Sequence, residues 1–342
     1  MKPVKFVDGT LREGEQTPGV HFTMDEKIQI AKALDNAGVD ILDVGMPSVS
    51  AGEREAISAI VKLGLKASVG VSVRMRKQEI DQAVICGVSE IFIICPVSPI
   101  HMKSKLQMSS AQVKESAEEL TAYGASKDLT VNLVVEDASR GDIPFMIDLM
   151  NQSHSQGAKR VFICDTLGLL EPFKMKSMVE DIRAGISDEM EIGIHCHDDL
   201  GLATANTIAA VTAGADFPAV TVNGIGERAG NAPLHEVGLG IEKILQRSSN
   251  LDHCRLYDLS RLVERCSGIF IPPHAPIVGL NAFRHESGIH VDGLLKDSRT
   301  YTGLAPEEVH RSSTIVLGKH SGIRTIEYLL QMKGVKAEPA LM

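Results

Sequence analysis

The chain has 342 residues and a mass of 36.9 kDa, with 35 Lys and Arg against 44 Asp and Glu, so its formal charge is −9. That balance, with a pI near 5.8, argues against a general nucleic-acid binder, which needs a basic face, and gives no reason to expect an anionic membrane surface as partner. Four Tyr, nine Phe and no Trp leave few platforms for stacking single-stranded bases, and no apolar window is long enough for a spanning helix.

The first residues, Met1 to Asp8, run straight into folded-looking sequence, so no signal peptide is expected. Short β-branched apolar runs follow at 4–7, 41–44, 67–73, 91–97, 129–135, 160–164, 191–197 and 219–222. After each comes a longer stretch with helical periodicity. Thr23-Met24-Asp25-Glu26 and Ser50-Ala51-Gly52-Glu53 read as capping boxes, and Gly38, Gly64, Gly87, Gly157 and Gly214 stand where helices should end. Eight strand–helix pairs in about 250 residues predict a (β/α)8 TIM barrel over 1–250. The runs are nearly continuous Val and Ile, as expected of strands buried on both faces. From 251 to 342 the alternation breaks. One helical stretch (256–266), a Pro-rich turn and a Gly/His-rich segment predict an appended linker helix and lid subdomain. Six cysteines without a CxxC pair, most in or beside apolar runs, predict reduced, buried thiols and a cytoplasmic protein.

In such a barrel, chemistry gathers at the C-terminal strand ends. Those ends carry Asp8 with Arg12 and Glu13; Asp43; Ser72 with Arg74; Cys95; Glu136 with Asp137; Asp165 with Thr166; His195 and His197; and Asn223 with Glu227 and Arg228. Polar strand ends are ordinary one at a time, but this set is rich in Arg, Glu and His. In His195-Cys196-His197 the two imidazoles should face one side of a strand, about 6–7 Å apart along it. Alone, such a pair is more often two ordinary hydrogen-bonded histidines than two ligands of one divalent metal. A carboxylate would complete a metal-activating set, and Glu13 is the candidate, with Asp8 as the alternative. The loop Asn223 to Asn231 has GxGxxxG spacing after the last strand, a poor dinucleotide fingerprint but a possible anion turn. His285-Glu286-Ser287-Gly288-Ile289-His290 spaces its histidines by five, which rejects a zinc-protease helix and leaves His290 as a surface residue or a lid-borne acid/base.

Taken together, Asp8 to Gln16, His195 to Gly201, Asn223 to Asn231 and His285 to Gly293 resemble the Claisen-condensing acyltransferase family of isopropylmalate, citramalate and homocitrate synthases. Segments 20–23, 135–140 and 290–296 are most similar to its nitrogen-fixation type of homocitrate synthase. The resemblance implies condensation of acetyl-CoA with a 2-oxo acid, 2-oxoglutarate first, and isopropylmalate or citramalate synthesis from 2-oxoisovalerate or pyruvate as the alternative. It implies a divalent metal (Mg, Mn or Zn) held by Glu13, His195 and His197, with Asn231 as a further ligand. It gives Arg12 the ketone oxygen and Thr166 the carboxylate, and sets Gln16 in the pocket wall. Proton transfers would fall to Glu136, His290 and Tyr301, with the lid of one subunit closing over its partner in a homodimer.

The pattern also departs from relatives. Gly9 stands where Thr is usual. The lysine-pathway branch carries His, Arg and Glu where this chain has Ser72, Asn132 and Gly193. Those changes put 2-oxoglutarate in doubt and lysine inhibition out of expectation, and leave Arg74 as the candidate for a distal carboxylate. With Met342 as the last residue, feedback through a long C-terminal regulatory domain is not expected either. A lyase running the reverse cleavage and a non-catalytic, metabolite-binding regulatory barrel are the competing readings.

Overall fold

The structure, a computed structural model, describes residues 2–335. The chain divides into two compact units, Met1–Asp252 with Leu259–Ile269, and His253–Asp258 with Phe270–Met342. The end of the expected lid segment, 336–342, lies outside the described residues.

In the first unit eight parallel strands close into a barrel: β1 (Val7–Asp8), β2 (Ile41–Asp43), β3 (Ser68–Arg74), β4 (Glu90–Pro96), β5 (Thr130–Glu136), β6 (Ala158–Asp165), β7 (Glu191–Cys196) and β8 (Phe217–Val220). β8 pairs back onto β1, Val7 beside Ala219. Between and after them run α1 (Met24–Asn36), α2 (Ala51–Val61), α3 (Lys77–Cys86), the single turn α4 (Pro99–His101), α5 (Ser110–Ala125), α6 (Ile143–Ser155), α7 (Pro172–Gly185), α8 (Ala203–Thr212) and α9 (Leu234–Lys243). This is the TIM barrel that the eight apolar runs predict. The first run is displaced: Val4 pairs with Ser249 outside the barrel, and β1 starts at Val7.

Local signals act as their chemistry dictates. Thr23 and Glu26 form a reciprocal capping box at α1. Ser50 caps α2 through the Glu53 N–H, but the Glu53 carboxylate goes to Lys27 instead, so only half a box forms. All five helix-ending glycines have positive φ. At Gly38 a Cβ would also meet the Asn250 carbonyl oxygen at 1.9 Å.

Val7, Ile41, Phe92, Phe162 and Phe217 form one buried cluster inside the barrel, with the Phe92 and Phe162 rings edge to face at 5.4 Å. Gly193 passes so close that a Cβ would stand 2.3 Å from the Phe162 ring, so a Glu at this position has no room. Asn132 is also structural: its amide joins Glu90 and the Ile91 carbonyl, and Arg160 bridges Glu90 and Glu191. The barrel floor is therefore filled, and the open space lies at the C-terminal rim.

The helix α10 (Leu256–Ser267) contributes residues to both units. The second unit adds a parallel pair, β9 (Arg284–His285) with β10 (Thr314–Ile315), and the helices α11 (Gly288–Lys296) and α12 (Ile323–Met332). Its organising residue is Arg311. The guanidinium donates to the Ile277 and Gly279 carbonyls and lies over the rings of Tyr257 and Phe283. No helix among the described residues is long and apolar enough to cross a membrane.

Candidate active site

The loop after β1 winds tightly because the N–H groups of Arg12, Glu13 and Gly14 all donate to the Gly9 carbonyl. It is tied to the loop after β8: the Val222 N–H donates to Thr10 Oγ1 at 2.8 Å, and Thr17 Oγ1 donates to the Gly226 carbonyl at 3.2 Å. These ties bring Glu13 to the histidines of β7. Glu13, His195 and His197 each offer a donor atom within 4.8 Å of the others. The two Nε2 atoms are 3.2 Å apart, and His197 Nε2 is 3.5 Å from Glu13 Oε1. The 6–7 Å expected from strand spacing shrinks because the rings lean together, nearly perpendicular at 88°. Burial pushes the His197 imidazole down to about 4 and holds His195 well below its usual value, so both are neutral near pH 7. Neutral imidazole is the form that ligates metals.

Asn231 reaches the same corner from the loop after β8, its backbone bridged to that of His197. Its Nδ2 donates to the Ile225 carbonyl at 3.1 Å, while its buried Oδ1 has no protein partner. Gly226 permits this approach, since a Cβ there would stand 2.1 Å from Asn231 Nδ2 and 3.5 Å from Glu13 Cγ. One carboxylate, two neutral imidazoles and an orphaned amide oxygen are a donor set that fits a divalent cation.

Arg12 sits beside this group, paired with Glu13 and, through Nε, with Asp43 Oδ2 at 2.7 Å. Ser72 Oγ donates to the same Asp43 oxygen at 2.7 Å. The anchor role of Asp43 was not readable from sequence, because 31 residues separate it from Arg12. Thr166 Oγ1 accepts from the Asp137 N–H at 2.8 Å, which leaves its own proton to donate.

A cavity of about 540 Å³ opens at the rim, and Arg12, Glu13, Gln16, Arg74, Glu136, Thr166, His195 and His197 all line it. Its apolar wall is Met46, Ile94, Pro96, Leu106, Val134 and Cys164. Several of its charges are matched. Arg74 pairs with Glu79, with Nε and Nη2 at 2.7 and 2.6 Å from Oε1. Lys105 Nζ holds both oxygens of Glu136 at 2.7 Å. Arg228 pairs with Asp199 through Nε and Nη2, both at 2.8 Å. Lys105 escapes sequence reasoning because it stands in the loop between β4 and α5, on a single π turn, Met102–Leu106. The next helix, α9, starts only at Leu234, so the glycine-rich 223–231 loop lacks the helix N-terminus that would favour an anion there.

His290 and Tyr301 belong to the second unit, where their rings stack at 4.0 Å and 21°. Gly293 makes room for this pair, since a Cβ there would be 2.7 Å from the Tyr301 ring. The six cysteines are free; four are buried, Cys266 is half-buried and Cys254 is exposed.

Residues 3–263 match the HMGL-like family, and residues 277–341 match the homocitrate synthase post-HMGL domain-like family. The (R)-citramalate synthase CimA of Methanocaldococcus jannaschii is 44% identical over 332 residues, 97% of this chain and 67% of that protein. The 2-isopropylmalate synthase 2 of Caldanaerobacter subterraneus is 44% identical over 321 residues, 94% of this chain and 83% of the relative. Among solved structures, the HMG-CoA lyase of Bacillus subtilis shares the fold, with a TM-score of 0.69 at 19% identity over 80% of this chain and 96% of that one. By the match across its barrel and these relatives, aligned over 97% and 94% of this chain, the chain belongs to the HMGL-like family and continues into a homocitrate synthase post-HMGL domain.

Proposed function

We propose that this protein joins the methyl carbon of acetyl-CoA to the ketone carbon of a small apolar 2-oxo acid and releases coenzyme A, with pyruvate as the substrate and citramalate as the product. The observation that carries this reading is the Glu13–His195–His197 group beside Arg12 at the mouth of a cavity with an apolar wall. The resemblance to the nitrogen-fixation type of homocitrate synthase favours 2-oxoglutarate instead. Two observations weigh against it: relatives aligned over nearly all of this chain are citramalate and isopropylmalate synthases, and Arg74, the candidate for a second carboxylate, is already paired with Glu79. 2-Oxoisovalerate is the second reading, supported by the isopropylmalate synthase relatives.

Glu13, His195, His197 and Asn231 would hold the divalent cation, which when bound supplies Lewis-acid polarisation of the ketone. Arg12 keeps a permanent positive charge where the ketone oxygen becomes an alkoxide, and Asp43 fixes its orientation. Thr166 donates its hydroxyl proton to the substrate carboxylate. Gln16 forms part of the wall. A base must remove a methyl proton from acetyl-CoA, and an acid must protonate the new alkoxide. Glu136 serves these transfers together with His290 and Tyr301, brought by the lid of a partner subunit in a homodimer. Thioester hydrolysis then releases coenzyme A and makes the sequence irreversible.

The test is thiol release in the presence of acetyl-CoA, a divalent metal and one oxo acid at a time: pyruvate, 2-oxoisovalerate, 2-oxoglutarate or oxaloacetate. Highest kcat/KM with pyruvate is expected. Preference for 2-oxoglutarate would overturn the substrate assignment, and no thiol release with any oxo acid would overturn the reaction.

A further inference from the structure

Asp137, directly after Glu136, adopts a left-handed backbone with φ 63° and ψ 39°. Its carboxylate is fully buried and held by Arg140, with Nε 3.0 Å from each oxygen and Nη2 2.7 Å from Oδ2. His101, the last residue of α4, stands between the two carboxylates. Its Nε2 is 3.7 Å from Asp137 Oδ2, and its Nδ1 is 3.7 Å from Glu136 Oε2. That Nδ1 is buried and makes no hydrogen bond. The next turn of chain is the π turn that carries Lys105 onto Glu136, and such single π turns are frequent at functional sites.

We propose that His101 is a positioning residue for Glu136: as an imidazolium set between the two carboxylates, with Nε2–H towards Asp137, it donates from Nδ1 to Glu136 when Lys105 lets go. The proposal rests on the reading that Glu136 moves protons in this cavity. An ammonium on both oxygens ties Glu136 up as an acceptor, whereas a single donor on Oε2 leaves Oε1 open to the reacting group. Lys105 is half exposed, at 51%, so water competes for its pair. His101 is only 23% exposed and backed by a buried carboxylate, so water competes less for a bond from its Nδ1 once that bond is made. Closing 3.7 Å to hydrogen-bond length needs a shift of less than about 1 Å. The same backbone turn presents the Asp137 N–H to Thr166, so one rigid corner sets both the proton-transfer group and the carboxylate-binding hydroxyl.

The test compares kcat and KM of His101→Ala, His101→Asn, His101→Gln, Glu136→Gln and the Ala/Gln double variant of residues 101 and 136, each checked for cooperative melting. Asn places a donor near the Nδ1 position, and Gln places one near Nε2. His101→Ala and His101→Gln are expected to lose about 10–100-fold in kcat with KM for the oxo acid within about twofold, while His101→Asn recovers most of the loss. The double variant should be no slower than Glu136→Gln alone. Full kcat in His101→Ala beside a crippled Glu136→Gln overturns the proposal and spares the proposed function. Independent, multiplying losses in the double variant also overturn it. An unimpaired Glu136→Gln removes Glu136 from the chemistry and this proposal with it. Should His101→Ala fail to fold, the contrast between the Asn and Gln variants decides by itself.

Discussion

Asp43→Asn isolates how much of the activity depends on the orientation of Arg12. In the native structure Asp43 Oδ2 takes Arg12 Nε at 2.7 Å and Ser72 Oγ at 2.7 Å, and the carboxylate is only 3% exposed. The substitution keeps the shape and the hydrogen bond from Ser72 but removes the carboxylate charge, so an ion pair becomes a hydrogen bond from a charged donor to a neutral acceptor. Exposed ion pairs contribute about 0.2–1 kcal/mol, and the burial of Asp43 puts the upper end at roughly 2 kcal/mol. A loss of roughly 0.2–2 kcal/mol corresponds to about a 1.4–30-fold fall in kcat/KM if the guanidinium must hold one direction to meet the alkoxide. The side chain of Arg12 is 18% exposed, so water screens part of the pair and the lower half of that range is the better expectation. The assay is initial-rate thiol release with acetyl-CoA and pyruvate, alongside Arg12→Lys, which keeps charge but loses the fork. Arg12→Lys should fall further than Asp43→Asn. Wild-type kcat/KM in Asp43→Asn, with a crippled Arg12→Lys, would show that Arg12 needs no anchor. Wild-type rates in both would remove Arg12 from the transition state.

His197→Ala should release bound divalent metal and abolish turnover while the barrel still melts cooperatively, because the residue lies at the rim rather than in the Phe92–Phe162 floor; metal content unchanged by elemental analysis would strike it from the ligand set. Asp8→Asn tests a buried acid instead. Burial pushes the Asp8 carboxyl up from 3.8 to about 7, so unfolding releases a proton between those values and native stability falls as pH rises through that window. The deficit above pH 7 is on the order of 4 kcal/mol at 1.36 kcal/mol per pH unit. In chelator-treated protein, Asp8→Asn should therefore gain melting temperature over wild type as pH goes from 4 to 8; a difference that ignores pH would refute the assignment.

The barrel was legible because each strand records its own burial. A strand covered on both faces must be Val- and Ile-rich, and a helix covered on one face must repeat every three to four residues. Eight such alternations admit few closures, and the strand ends name the rim. The metal-type group was half legible: HxH parity is local, but the choice of Glu13 over Asp8 depended on the bridge between the first and last loops. In the structure Asp8 Oδ1 accepts the Thr10 N–H, while Glu13 meets His197.

Local patterning along the chain specifies the barrel, its rim and the residue types available there. Which distant charges are engaged is settled by the closed barrel, which matches Arg12 to Asp43 and Lys105 to Glu136, each pair 31 residues apart. The physical reason is that burial leaves a periodic trace along the chain. An ion pair made across neighbouring strand ends leaves none, because its strength depends on distance and solvent exposure that exist only once the barrel has closed.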